Sequence, residues 1–309
     1  VIVNVVEAYG KLTKRDLRTL RVIEAGHKYY EYVPQELIER WSRCRREEVA
    51  QSIRRMHALG LLRRSHSAYL GWRITAAGYD VLALHTLRAR QRVVRVSPTP
   101  IGVGKEAAVY AGEMPSGFKV ALKFYRGGAS AFRYDKAFRS RVRKFRHLKQ
   151  VYETRLSALA EYFALRKIFD AGGIVPEPLA YNRHVVVMSY INGVELHRLA
   201  DGDFKRIADD IVTTLLAALR AGIIHGDLSP YNVIVGERGY VIDWPQWVPV
   251  WHQNAAGLLL RDINNIASYF RKRGVELPVS EVMRAAEEGG SAARDFIAEM
   301  NKYLFRRGV

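Results

Sequence analysis

Ile224-His225-Gly226-Asp227-Leu228-Ser229-Pro230-Tyr231-Asn232-Val233-Ile234-Val235, followed after a short gap by Tyr240-Val241-Ile242-Asp243-Trp244, is the stretch on which the reading of this chain turns. Two apolar runs bracket a polar loop, and the second run ends on a carboxylate. Gly, Asp, Ser, Pro and Asn are turn residues in their own right. A turn does not account for the flanking Val and Ile runs, or for the aspartate that closes the second of them. Chemistry on a phosphoryl group needs one carboxylate to accept or orient the proton of the attacking hydroxyl. It also needs an amide oxygen and a second carboxylate to hold magnesium on the phosphates. Asp227, Asn232 and Asp243 supply those three groups in that order.

Around this stretch the composition is that of a globular protein. The chain has 309 residues, 49% hydrophobic and 26% charged, enough for two or three domains. No apolar run approaches the roughly 20 residues of a bilayer span, and Val1–Val6 is too short for a signal-peptide core. The one cysteine, Cys44, excludes a disulfide framework and a thiolate metal site. The histidines show no paired ligand spacing. A cytoplasmic protein, a monomer with no membrane partner, is the expectation.

The net charge of +18 is not evenly spread. Residues 1–96 hold 19 Lys and Arg against nine Asp and Glu, and residues 126–150 hold nine against one. The segment carrying the polar loop is close to neutral. Segregated positive charge is the footprint of a nucleic-acid partner, whereas an evenly basic surface is only solubilising.

The first 90 residues read as helices ending in a ribbon. Leu17, Leu20 and Ile23 repeat at helical spacing in Lys14–His27, with Gly26 near the stop. Pro34 opens Gln35–Trp41, and Arg46–Leu59 turns Val49, Ile53, Met56 and Leu59 inward, with Arg45, Arg46, Arg54 and Arg55 outward. Leu61–Arg64 and Tyr69–Ile74 read as two strands around Ser65-His66-Ser67, and Thr75 caps a last helix through Leu87. This order resembles a winged helix-turn-helix with Arg46–Leu59 as recognition helix. The same module also serves as a protein-binding surface. Arg88–Arg95 then reads as a basic linker punctuated by Pro98 and Pro100.

The segment before the loop has a glycine-rich turn, Gly102-Val103-Gly104-Lys105-Glu106-Ala107, and then Val120-Ala121-Leu122-Lys123. Glycines let a backbone approach phosphates closely. This pairing resembles the glycine loop and ATP lysine of protein kinases, and the Asp227–Asn232 spacing resembles their catalytic loop. Lys123 then needs a carboxylate. Glu161 in the amphipathic Thr154–Phe169 is the better candidate, and Glu153 the rival. Between them lies a basic block that starts Gly127-Gly128-Ala129-Ser130 and alternates Arg with Phe132, Phe138 and Phe145, aromatics that either pack or stack on bases. Val185–Gly193 reads as a strand leaving into a turn, where Met188, Ser189, Tyr190 and Ile191 would line an adenine pocket. Phe204–Ala221, Arg261–Lys272 and Ser280–Phe305 read as helices.

Taken together these motifs resemble the RIO family of atypical serine/threonine kinases, in its second subfamily. The resemblance covers nearly the whole chain, and its specific parts are Gly102-Val-Gly-Lys-Glu106, His225-Gly-Asp227 and Asp243-Trp-Pro-Gln246. Trp244 stands where phenylalanine is usual, and Ala107 where the subfamily often has serine. The resemblance implies an α+β chain with a winged helix at 1–90, a linker at 91–96 and a bilobal kinase domain at 97–309. Its N-lobe would span about 97–188 and its C-lobe about 193–309, without the peptide-binding part of the C-lobe. It implies ATP as substrate, with Mg2+ or Mn2+. Asp227 and Asp243 would be catalytic, Asn232 and Asp243 would bind metal, and Gly102, Gly104, Lys105, Lys123 and Glu161 would bind ATP. Ser130 is the candidate autophosphorylation site. The implied partners are a small ribosomal subunit precursor and its rRNA, with Arg45, Arg46, Arg54, Arg55, Arg141, Arg143, Lys144 and Arg146 as RNA contacts. Two alternatives stay open: a small-molecule phosphotransferase of aminoglycoside or choline kinase type, and a non-catalytic ribosome-binding module.

Overall fold

The computed structural model describes residues 4–65, 69–127 and 136–287, with 294–296, 298 and 302; at 136–138 and 141 it describes backbone only. Ser130, Phe132, the tip at His66 and Ser67, and half of the expected terminal helix lie outside the described residues.

The first domain opens with α1 (Val5–Gly10) and α2 (Lys14–Gly26). Thr13 and Asp16 exchange side-chain and backbone hydrogen bonds at the start of α2, a reciprocal cap that fixes where the helix begins. Then come β1 (Val33–Pro34), α3 (Gln35–Ser42), α4 (Arg46–Ala58), β2 (Leu62–Arg64), β3 (Gly71–Ile74) and α5 (Ala76–Ala89). The three strands pair in the order β1-β3-β2, the winged-helix arrangement. Gly60, at φ +70°, ends α4 in the left-handed region that glycine tolerates best. Leu20, Ile23, Ile38, Val49, Ile53 and Met56 close a core of their own. The sequence reading lacks α1 and β1. Two-residue β1 has no periodicity to reveal it and is held by Val33 opposite Trp72.

The second domain begins earlier than expected. Residues 91–96 do not form a free linker: Val93 is fully buried, and β4 (Arg95–Val96) pairs with Glu113 and Gly112. Strands β5 (Gly102–Val103), β6 (Ala107–Glu113) and β7 (Lys119–Tyr125) follow, then α6 (Lys136–Lys144), α7 (Lys149–Asp170), β8 (Pro178–Asn182) and β9 (Val185–Ser189). The sheet order is β4-β6-β7-β9-β8, with β5 on β6. Along β7 the side chains alternate between faces, as in any strand. Ala121, Lys123 and Tyr125 face α7. Val120, Leu122 and Phe124 join Val185 and Val187 in a separate core with Ala83 and Leu87 of α5. The winged helix therefore supplies the outer layer of this sheet.

The C-lobe adds β10 (Val194–Glu195), α8 (Phe204–Arg220), β11 (Ile223–Ile224), β12 (Val233–Val235), β13 (Gly239–Val241), β14 (Val248–Pro249), α9 (Ala255–Arg271) and α10 (Val279–Glu287). Strands β10-β12-β13 form one small sheet and β11-β14 another. No described helix is long and apolar enough to cross a membrane.

Buried charges lock the two domains. Glu24 of α2 accepts from Arg155 of α7 at 2.8 Å and from Arg183 of the β8–β9 turn at 2.6 Å. Asp80 of α5 binds Arg126 at 2.5 Å and His184 at 2.7 Å. Burial works to raise the Glu24 carboxyl, but Arg183 and Arg155 outweigh it and hold it at about 2. Because the folded value lies below the unfolded one, this stabilisation is complete above about pH 4.5 and is lost as pH falls toward 2. Its size is about 3 kcal/mol at most, since each tenfold change in proton affinity corresponds to about 1.4 kcal/mol. We expect Glu24→Gln to lower the thermal midpoint at pH 7 and to flatten its fall between pH 4.5 and 2 relative to wild type. Equal acid dependence of the two proteins would remove Glu24 as the titrating group.

Candidate active site

The site forms where β7, α7 and the β12–β13 hairpin converge. Lys123 points from β7 toward α7 and donates to Glu161 at 2.6 Å and to Asp243 at 2.6 Å. Glu161, not Glu153, is therefore the partner; Glu153 lies earlier in the same helix, beside Lys149. Burial alone would lower the Lys123 pKa, but Asp243 and Glu161 more than offset it and keep the ammonium charged. The Lys123 charge in turn holds the Asp243 carboxyl below the ordinary aspartate range, against burial. Tyr125, two residues on along the same face, donates to the second Glu161 oxygen at 2.6 Å. Burial and then the Glu161 charge push this phenol well above its usual range, so it remains a donor. Sequence reading missed Tyr125, although its i+2 relation to Lys123 marks it as facing the same way.

The loop between β11 and β12 is held from beneath. Gly226 adopts φ +81°, and a side chain there would meet the Gln246 carbonyl at 3.1 Å, which accounts for glycine between His225 and Asp227. Asp262 of α9 accepts from the Gly226 amide at 2.7 Å and the Leu228 amide at 2.9 Å. Asn265 donates to the Leu228 carbonyl at 3.1 Å. His225 donates from Nε2 to the Ile242 carbonyl at 3.0 Å and accepts the Asp227 amide at Nδ1. Asp227 is left at the mouth, its side chain free of the bonds that hold its neighbours. Sequence reading did not single out Asp262, because one aspartate in an amphipathic helix carries no local mark.

Asn232 donates its amide to the Asp227 carbonyl at 2.8 Å, so its side-chain oxygen remains for a metal. The Ile242 amide binds the Asn232 carbonyl at 2.9 Å, which sets Asn232 and Asp243 on adjacent chains. Asp243 itself takes φ +68°, a left-handed conformation uncommon outside glycine and enriched for Asn and Asp. One carboxylate and one amide oxygen beside a phosphate site suit Mg2+, which keeps most of its waters. Trp244 is fully buried, with its ring N–H on the Val241 carbonyl at 3.1 Å; the larger ring is accommodated. Trp247 donates to the Ala160 carbonyl at 3.1 Å, tying the segment after Asp243 to α7 next to Glu161.

At Gly102 an added Cβ meets nothing, and at Gly104 only the Ala107 carbonyl at 3.8 Å. Among the described residues no contact demands these glycines, and the open space would let a phosphate approach the backbone closely. Lys105 is exposed beside them. In the segment expected to line adenine, two backbone amides already have partners. The Ser189 amide donates to the Glu177 carbonyl and the Tyr190 amide to the Lys119 carbonyl, which leaves Ile191 as the amide donor in 189–191. Met188 is buried in the core behind it.

The basic candidates divide. Arg45 and Arg54 are exposed, but Arg55 is held by Asp16 at 2.6 Å and Arg46 leans on Glu39 at 3.7 Å. Arg143, Lys144 and Arg146 are exposed, while Phe145 is buried, so this aromatic packs rather than stacks on bases. The Arg141 side chain lies outside the described residues.

Family comparison agrees with this geometry. The RIO domain matches residues 108–283, and the Rio2 N-terminal domain matches residues 9–90. The Rio2 kinase of Methanocaldococcus jannaschii is 33% identical over 257 residues, covering 81% of this chain and 93% of that one. The Schizosaccharomyces pombe rio2 kinase is 34% identical over 272 residues, covering 86% and 78%. The solved Rio2 kinase of Chaetomium thermophilum, in complex with ADP, Mg2+ and phosphoaspartate, superposes with a TM-score of 0.79 at 30% identity, covering 96% of each chain. With a winged helix, a linked Lys123–Glu161–Asp243 site and these relatives in both domains, the chain belongs to the RIO family of serine/threonine kinases, in its Rio2 branch.

Proposed function

We propose that this chain acts on precursors of the small ribosomal subunit in the cytoplasm, and that Asp243 carries the phosphoryl group between ATP and its acceptor. The observation that carries the catalytic part is Lys123 bonded to both Glu161 and Asp243, which brings the phosphate-binding ammonium and the metal-binding carboxylate together. As a RIO kinase the chain uses ATP with magnesium; Mn2+ suits the same oxygen donors. Asp243 and Asn232 would hold the ion, whose chemistry is to bridge and neutralise phosphate oxygens. Glu161 and Tyr125 fix the Lys123 ammonium against the phosphates, and Gly102 and Gly104 admit them.

In this reading an Asp243 oxygen attacks the γ-phosphorus, forming an O–P bond as the bond to the β-phosphate oxygen breaks and ADP leaves. The C. thermophilum relative, whose complex holds a phosphoaspartate, supports this step. Water or a serine hydroxyl then displaces the carboxylate, giving its proton to Asp227. Ser130 remains our candidate acceptor within the chain. With radiolabelled ATP we expect hydroxylamine-labile label on the wild type, turnover that rises with subunit precursors, and loss of turnover in Asp227→Asn. Absence of any hydroxylamine-labile label would remove Asp243 as carrier and leave direct transfer through Asp227.

The RNA reading is supported by charge: +10 on residues 1–96 and +8 on 126–150. Each neutralised phosphate releases a condensed counterion. About six contacts give a slope of log K against log salt of roughly −4 to −5, at about −0.7 to −0.9 per phosphate. We expect that slope for rRNA fragments, flattened by replacing Arg143, Lys144 and Arg146 with Ala, and separately by replacing Arg45 and Arg54. A slope near zero would return the winged helix to a protein-binding role.

A further inference from the structure

A cavity of about 320 Å³ lies on the seam between the two domains, away from Asp227 and Asp243. Its size falls in the range of small-molecule sites, roughly 300–1,000 Å³. It is bounded by α2 and β3 of the winged helix and by the end of β7, the start of α7 and the β8–β9 turn. Arg63, Arg73, Arg126, His27, His147 and His184 line it, and among its described lining residues there is no Asp or Glu.

The nearby carboxylates stand behind the cations. Glu31 binds Arg73 at 2.6 Å, and Asp80 binds Arg126 at 2.5 Å and His184 at 2.7 Å. Arg73 also donates to the His147 carbonyl at 3.0 Å, and His147 to the His27 carbonyl at 2.8 Å. The Arg73 and Arg126 guanidiniums are thus oriented in advance, each with five N–H donors of which few are engaged. Arg63 and Arg73 stand directly opposite each other in the β2–β3 ladder. Like charges at that spacing repel, and an anion between them removes the cost. Burial lowers His27 to about 4, although the Tyr30 carbonyl and Glu24 act in the other direction.

Tyr125 lines the same cavity while donating to Glu161. Its ring therefore forms the partition between this space and the Lys123–Glu161 pair.

We propose that the seam cavity is a second, non-catalytic binding site for a phosphomonoester, held by the forked donors of Arg63, Arg73 and Arg126. The group belongs either to a free mononucleotide or to the phosphorylated end of an RNA strand. Its position against Tyr125 lets occupancy bear on the ATP lysine. The site goes beyond the assembly role proposed above, and its test is independent of that role.

The experiment is calorimetric titration of the full chain, with the ATP site saturated by a non-hydrolysable ATP analogue and magnesium. The probes are AMP, adenosine, and a hexaribonucleotide with either a 5′-phosphate or a 5′-hydroxyl. We expect AMP to bind where adenosine does not, or the 5′-phosphorylated strand to bind more tightly than its 5′-hydroxyl twin. The first result identifies a free mononucleotide and the second a strand end. In either case Arg63→Glu should weaken the phosphate-dependent binding by about tenfold or more, as loss of a charge-assisted bond implies, with basal ATP turnover unchanged and the thermal midpoint not lowered, since the introduced carboxylate would face Arg73. Arg63 is exposed, so this variant should fold. Binding with no dependence on the phosphate, or a phosphate dependence untouched by both Arg63→Glu and Arg73→Gln, would overturn the site.

Discussion

Replacing Lys123 with Met is expected to lower ATP turnover by about 10²-fold or more, the scale of losing one preorganised electrostatic contact, about 2.7–4 kcal/mol. The structure adds a second consequence. Glu161 is 1% exposed, and Lys123 is the cation within 2.6 Å of it. Without that charge a buried carboxylate remains, and breaking a buried pair from one side costs about 3–5 kcal/mol. Lys123→Met should therefore also lower the thermal midpoint. Adding Glu161→Gln should restore much of the stability and none of the turnover, a coupling that a double-mutant cycle measures. Near-normal turnover in Lys123→Met would sink the assignment of this lysine to the phosphates.

The second large effect is expected at Asp262, which touches no nucleotide. Its two oxygens each take a backbone amide, Gly226 and Leu228, on either side of Asp227. Asparagine offers one oxygen and turns its NH2 toward the other amide, donor against donor. Hydrogen bonds to a charged group contribute about 1.5–3 kcal/mol each. Asp262→Asn should thus cut kcat by about 10- to 150-fold, since every 1.4 kcal/mol is about tenfold. The KM for ATP should change little, because Lys123, the glycine turn and Ile191 lie apart from this loop, toward the N-lobe. An unchanged kcat, or a rise in KM alone, would show that the loop holds its shape without this carboxylate.

What the sequence disclosed and what it concealed follow from the range of each interaction. Asp227 and Asn232 are five residues apart and Lys123 follows the apolar run Val120-Ala121-Leu122, so spacing and periodicity announce them. The long elements of both domains came through for the same reason: α2, α4, α7 and α8 each carry a repeating apolar face. Asp262 and Glu24 announce nothing, and Tyr125 is marked only by its i+2 place after Lys123. Each acts on a group far away in the chain, and a single polar residue has no period. The merging of residues 91–96 into the sheet was hidden in a similar way, since basic residues around an edge strand look like a linker. Arg55 read as an outward cation because of its helical face; that it also pairs with Asp16, 39 residues earlier, is a link no spacing shows.

Because α5 lies over Val120, Leu122, Phe124, Val185 and Val187, a truncated chain beginning at Ser97 would turn those five side chains out to water. Burial of such a side chain stabilises by about 1.5–3 kcal/mol. The shortened protein would also leave Arg155 and Arg183 without Glu24, and it should be prone to aggregate. Inheritance meets the same constraint as surgery. A lineage could shed the winged helix only after these five positions had become polar or gained another cover, so the two halves are bound to evolve as one unit.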